Sequence, residues 1–197
     1  MAAAKPPAKS RALVRWETGS RADLDQLPIA HAKVGGKRPG RRYDLQQLNQ
    51  AYLVALSAKF QLFCRDLHTE AVDVVVTSLV DPKAHQVVTA NFTFGRKLDH
   101  GNPNPGNIAS DFGRLVPNFW VLLKTAKASN KGRLKSLEHM NEWRNAIAHE
   151  DFGKQLTPTS LQLKTVGLWR RKCDVLARSM NDVLWSELQR LVGAAPW

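Results

Sequence analysis

The spacing of apolar residues after position 44 is the feature that most constrains the fold. From Asp44 to about Val80 they recur at steps of three and four, which places them on one face of a long α-helix. The residues on this face are Leu45, Leu48, Tyr52, Leu56, Phe60, Phe63 and Leu67. Asp44 can cap the helix, and Asp81-Pro82 ends the pattern. A helix this long has to pack its apolar face against other helices.

Similar spacing predicts three further helices, over about 110–126, 133–150 and 166–191. Ser110 and Asp111 are expected to cap the first of them. The remaining segments are a loop of turn-forming residues at 100–107, a helix or strand at 83–95 and a short extended piece at 161–165. No internal repeat is present. We therefore predict an all-α, irregular bundle of four to five helices, forming one domain over residues 44–197.

The N-terminal region differs from the rest in charge. Residues 1–43 hold ten basic and three acidic side chains, a net of +7 out of +12 for the chain. Residues 1–12 are rich in Ala, Lys and Pro, and 28–42 are rich in Gly, Pro and Arg, so we expect a basic, partly disordered arm over 1–43. A positive excess favours polyanions, most commonly nucleic acid. The alternative is a solvated basic surface without such a partner.

Cysteine usage and hydropathy indicate where the protein functions. Cys64 and Cys173 are too few for a disulfide framework and are not spaced as metal ligands, so we expect both to be reduced core residues. No apolar stretch has the length of a signal peptide or of a membrane span. The expected location is the cytoplasm. No glycine-rich phosphate loop or metal-ligand cluster occurs, so no cofactor or metal is expected.

One segment carries a candidate site. Arg144, Asn145 and His149 interrupt an otherwise apolar helix, with four residues between the Arg and the His. Five basic residues precede them and are candidate RNA contacts: Lys124, Lys127, Lys131, Arg133 and Lys135. The structural alternative is that Arg144 pairs with Glu150 or Asp151 and that His149 ends a helix whose dipole favours a cation there.

The segment WRNAIAHEDF (143–152) resembles the HEPN superfamily, in particular its bacterial ribonuclease and defence-associated branch. The mark of that family is an Arg, a polar residue beside it, and a His after a gap of four to six residues; Arg144, Asn145 and His149 match all three places. The resemblance extends from about Leu45 to Leu191. It implies a helical bundle, frequent homodimers and often metal-independent cleavage of RNA. Some members only bind nucleotides or partner proteins.

The residue types suit that chemistry. His149 can exchange the proton of a ribose 2′-OH, Arg144 can hold phosphate oxygens, and Asn145 can orient either group. The resemblance thus implies a metal-independent endoribonuclease acting on single-stranded or loop RNA, as a toxin or phage-defence effector under an antitoxin or regulatory protein. Five helical steps place Arg144 and His149 about 140° apart. That mismatch predicts a homodimer that brings two motifs to one cleft.

Overall fold

The computed structural model of the protein describes residues 7–35, 43–153 and 155–197. Helices make up most of these ranges, with no strand among them, so the all-α prediction is confirmed. The helices are α1 (Arg11–Arg15), α2 (Arg21–Gly35), α3 (Tyr43–Leu79), α4 (His85–Thr93), α5 (Lys97–His100), α6 (Pro105–Phe112), α7 (Phe119–Ala126), α8 (Asn130–His149) and α9 (Leu163–Val192). A π-helical turn (Trp16–Ser20) joins α1 to α2, and a 3-10 turn (Pro82–Ala84) precedes α4. The described helices outnumber the four to five predicted.

The two long helices α3 and α9 form the centre of the bundle and pack against each other. Their inner faces bury Leu56, Phe60, Leu67, Met180 and Leu184 completely. Each such side chain contributes about 1.5–3 kcal/mol relative to an exposed one. Both helices were predicted from apolar spacing, and their observed bounds lie within three residues of the predicted ones.

Cys64 and Cys173 are buried free thiols, as expected for core residues. Burial raises the pKa of both thiols above the ordinary value, because the charged thiolate would lose its hydration. No helix in the described ranges combines the length and the apolarity that crossing a bilayer would require.

The prediction of a partly disordered N-terminal arm is wrong for residues 7–35. Leu13, Trp16 and Leu24 are at most 2% exposed and belong to the same core as α3 and α9. The Glu70 carboxylate of α3 accepts the backbone N–H groups of Arg11 and Ala12 at 2.7 and 2.9 Å, which fixes the start of α1. Burying this apolar face outweighs the cost of Pro28, which lies inside α2. Residues 1–6 and 36–42 of the predicted arm lie outside the described residues.

The segment between α3 and α8 also differs from the prediction. Residues 85–93, which fitted either a helix or a strand, form α4. The single helix expected over 110–126 is instead divided between α6 and α7. Pro117 lacks an N–H group, and Asn118 has a left-handed backbone (φ 60°). Helical hydrogen bonding is therefore interrupted between α6 and α7. Ser110 and Asp111 consequently lie inside α6 and do not cap it.

A buried polar cluster holds α5 and α6 against α3. The Asp111 carboxylate accepts the N–H groups of Lys97 and Leu98 at 2.8 Å each and so caps α5. His68 Nε2 lies 3.2 Å from the backbone oxygen of Asp111, and Arg96 Nη1 lies 3.5 Å from His68 Nδ1. Burial and the neighbouring Arg96 lower the pKa of His68 to about 4, so this ring is neutral. The cluster fixes the segment that leads into the loop between α5 and α6.

Candidate functional site

The C-terminal end of α8 forms one wall of a cavity of about 370 Å³. Asn145 and His149 lie four residues apart in α8, which puts both on the same helix face, and both are exposed. We call the space they border the His149 cavity. Its lining consists of Glu142, Asn145, Ala146, His149, Asp151, Gln155 and Leu156. Two of the three residues proposed from the sequence therefore share one recess.

Arg144 is the third proposed residue, and it does not line this cavity. Its side chain is half-buried, and its Nη1 atom lies 3.5 Å from Oδ1 of Asn145, at the outer limit of a hydrogen bond. The Nδ2 group of Asn102 donates to the same oxygen. Asn145 thus connects Arg144 to the cavity edge. The angular separation of Arg144 and His149 persists, because α8 continues as far as His149.

Asn102 belongs to the loop between α5 and α6, which the sequence indicated only as a turn. Asn104 caps α6 by accepting the N–H of Asn107 at 2.8 Å, and Asn107 Nδ2 donates to the Asn102 backbone oxygen at 2.8 Å. Asn141 Nδ2 donates to the Pro103 backbone oxygen at 3.2 Å, which attaches the loop to α8. Asn102 was not among the site residues predicted from the sequence, although the density of Asn and Pro at 102–107 was a signal for it.

The turn that follows His149 has a strained residue. Glu150 adopts a left-handed backbone (φ 52°), a conformation that costs a non-glycine residue about 1–2 kcal/mol. The N–H of Asp151 donates to the backbone oxygen of Ala146 at 3.0 Å and completes a Schellman-type helix end. This turn determines where Asp151 and Phe152 leave the helix. Asp151 reaches the His149 cavity, and Phe152 reaches the next one.

Two further cavities follow the connection between α8 and α9. The glutamine cavity, about 400 Å³, is lined by Gln46, Gln50, Trp143, Phe152, Gln155, Leu156, Thr159 and Ser160. The outer cavity, about 630 Å³, is lined by His31, Leu45, Gln46, Asn49 and residues 159–164. Gln155 and Leu156 border both the His149 and the glutamine cavities. The three recesses therefore adjoin one another along residues 151–153 and 155–164.

The proposed basic cluster lies away from His149. Lys131 and Lys135 are in the first half of α8, while Lys124 and Lys127 are in and just after α7. Lys135 precedes His149 by 14 positions, a helical rise of about 21 Å. Arg133 uses Nη1 to bind the Asn130 side chain at 2.6 Å. The structure therefore does not bring these five residues into the His149 cavity.

Acidic residues of α8 lie between the lysines of the basic cluster and His149. Lys131, Lys135, Glu138, Glu142 and His149 fall on one exposed face of α8, in that order along the helix. Glu138 and Glu142 therefore separate the lysines from His149. An RNA strand running straight along this face would have to pass two carboxylates, which repel its phosphates.

Comparison of the chain with protein-family models, with curated proteins and with solved structures gives no match in any of the three. Among the described residues, no group of three or more His, Cys, Asp or Glu side chains is placed to hold a metal ion.

Proposed function

We propose that this protein is a metal-independent endoribonuclease that cleaves single-stranded or loop RNA at the His149 cavity. The observation that carries the proposal is the shared recess of Asn145 and His149, with Arg144 in contact with Asn145 Oδ1. An exposed imidazole, an amide and a permanent cation are together the groups that RNA cleavage without a metal needs.

In the proposed reaction, His149 removes the proton of the ribose 2′-OH, and the 2′ oxygen attacks the adjacent phosphorus. The bond from phosphorus to the 5′ oxygen breaks, and that oxygen takes up a proton from water, while His149 releases its own proton to solvent. The products are a 2′,3′-cyclic phosphate and a 5′-OH. Arg144 stabilises the negative charge that grows on the non-bridging oxygens.

The carboxylates that border the His149 cavity indicate where the ribose and the phosphate of the substrate bind. Glu142 and Asp151 border the His149 cavity, and their carboxylates repel a phosphate. We therefore assign the ribose to the cavity and the scissile phosphate to its edge, beside Asn145. Arg144 of the partner subunit contacts this phosphate, so Arg144 need not line the recess of its own chain.

A homodimer is part of the proposal. Arg144 and His149 lie about 140° apart around α8, so one chain presents them to different sides. A two-fold axis near the end of α8 would place Arg144 of one chain beside His149 of the partner subunit. On the resemblance alone, we further propose a cytoplasmic toxin or phage-defence effector controlled by an antitoxin or regulatory protein.

A second candidate function is an inactive module that binds RNA or a partner protein. The observation that favours it is the position of Arg144 outside the cavity lining, together with Glu138 and Glu142 between the lysines and His149. Incubating the purified protein with end-labelled RNA in EDTA separates the two functions. The enzyme yields fragments that end in a 2′,3′-cyclic phosphate, whereas the binding module retards RNA without cutting it.

A further inference from the structure

We propose that the glutamine cavity binds a nucleobase of the RNA strand, adjacent to the nucleotide that is cleaved at the His149 cavity. The inference rests on the proposed function, because it assigns a neighbouring nucleotide of the same substrate. It adds a binding site on the other side of Gln155 and Leu156, outside the Arg144–His149 motif.

The described residues that line this cavity are uncharged and partly aromatic. None of its eight described lining residues has an ionisable side chain, whereas three of the seven that line the His149 cavity do. Phe152 is 48% exposed, and its ring centroid lies 6.5 Å from that of the buried Trp143. A neutral recess beside an exposed aromatic ring suits a planar base, because bases stack on such rings regardless of their identity. Among the described residues of this lining, a phosphate would find no cation.

Three amide side chains supply hydrogen bonds at the edge of the recess. Gln46 and Gln50 lie four residues apart on one face of α3, and Gln155 comes from the connection after α8. Within the described parts of the chain, these three amides make no hydrogen bond to another residue. Each amide offers two donors and an acceptor, the same groups that line the edges of nucleobases.

The wall formed by residues 156–161 is held at two points. Trp143 Nε1 donates to the Pro158 backbone oxygen at 3.0 Å, which ties the connection to α8. Asn49 Nδ2 donates to the Leu161 backbone oxygen at 3.2 Å, which ties it to α3. A recess of about 400 Å³ is therefore formed before any ligand arrives, so binding has a small ordering cost.

The test measures binding separately from cleavage. In the His149→Ala background, fluorescein-labelled hexanucleotides A6, C6 and U6 are titrated against protein by anisotropy, with and without Phe152→Ala. We expect Phe152→Ala to weaken binding by at least about fivefold, the loss that removal of one stacked base causes. Phe94→Ala is the matched control, since Phe94 is 86% exposed and lines none of the three cavities.

A second variant keeps the result interpretable if Phe152→Ala lowers the melting temperature. Gln46→Ala combined with Gln50→Ala should change the order of affinity among the three hexanucleotides, because it removes hydrogen bonds that discriminate bases. Equal binding by the Phe152 and Phe94 variants, with an unchanged order for the glutamine variant, overturns the inference. If wild type never cuts RNA but Phe152→Ala weakens binding, the nucleobase site stands and the proposed nuclease fails. If wild type cuts and the Phe152 and Phe94 variants bind alike, only the nucleobase site fails.

Discussion

Nη1 of Arg144 lies 3.5 Å from Oδ1 of Asn145, and this contact connects Arg144 with the cavity that His149 lines. Asn102 donates to the same oxygen, so the loop between α5 and α6 positions the amide. In the proposed reaction, Asn145 determines where Arg144 meets the phosphate, while His149 moves the proton.

Replacing Asn145 with Ala tests this positioning role. We expect kcat to fall by about 10–100-fold, because Arg144 loses the oxygen that orients it and misplacement of a charge-stabilising group costs rate. Asn102→Ala should have a smaller effect in the same direction. Asn91→Ala, an exposed Asn in α4, is the matched control and should leave cleavage unchanged. Normal cleavage by the Asn145 variant would show that Arg144 needs no such support.

Mixing two inactive variants tests the shared site of the dimer. Arg144→Ala and His149→Ala proteins are each expected to be inactive. If Arg144 of one chain acts with His149 of the partner subunit, a mixed dimer keeps one intact site, and mixing should restore a substantial fraction of the activity. The measurement is cleavage after the two proteins have been incubated together. The shared site would be contradicted if sedimentation showed a fully active monomer. It would also be contradicted if mixed dimers were shown to form but cleavage did not recover.

Charge changes on α8 should alter RNA affinity in opposite directions. Lys131→Ala with Lys135→Ala should weaken binding and reduce the salt slope by up to about 1.4, since each phosphate contact on single strands contributes about 0.7. Glu138→Gln with Glu142→Gln should strengthen binding, because it removes repulsion from the same exposed face. Binding curves between 50 and 200 mM salt, roughly, measure both effects. If neither pair changes the slope, RNA does not follow this face.

His68 should make stability depend on pH. Its pKa is about 4 in the folded protein, through burial and Arg96, against about 6.5 in an unfolded chain. Between these values the unfolded state binds more protons. Stability is therefore fully present above about pH 6.5 and falls as the pH drops towards 4, by roughly 3 kcal/mol for this group. Urea unfolding of wild type and His68→Gln across that range measures the difference. The prediction would be contradicted if the free energies of unfolding of wild type and His68→Gln changed in parallel with pH. A titration of His68 near pH 6.5 by NMR would contradict it as well.

The sequence predicted the long helices and missed the N-terminal ones for physical reasons. In α3 and α9 the apolar spacing runs without interruption, and Pro82 marks the end of the first. Around α2, Pro28 and the surrounding Gly, Pro and Arg residues suggested a flexible segment. The burial of Leu13 and Trp16 against α3 depends on tertiary contacts that composition does not reveal.

The candidate site was predicted in part. The spacing of Asn145 and His149 was enough to place them on one face, and the structure has them in one cavity. Asn102 could not be assigned, because it reaches Asn145 only through the folding of a loop 43 residues away in sequence. The distance between Lys135 and His149 could have been predicted from helical rise alone.

Cleavage of labelled RNA in EDTA by wild type, Arg144→Ala and His149→Ala tests the central claim most directly. We expect wild type to cut and to leave a 2′,3′-cyclic phosphate. Loss of the charge-stabilising Arg144 should lower the rate about 10²–10³-fold. Loss of the proton-transferring His149 should lower it about 10²–10⁴-fold. Melting curves should show that both variants remain folded. Variants that cut at the wild-type rate, or a wild type that cuts no RNA, would contradict the account.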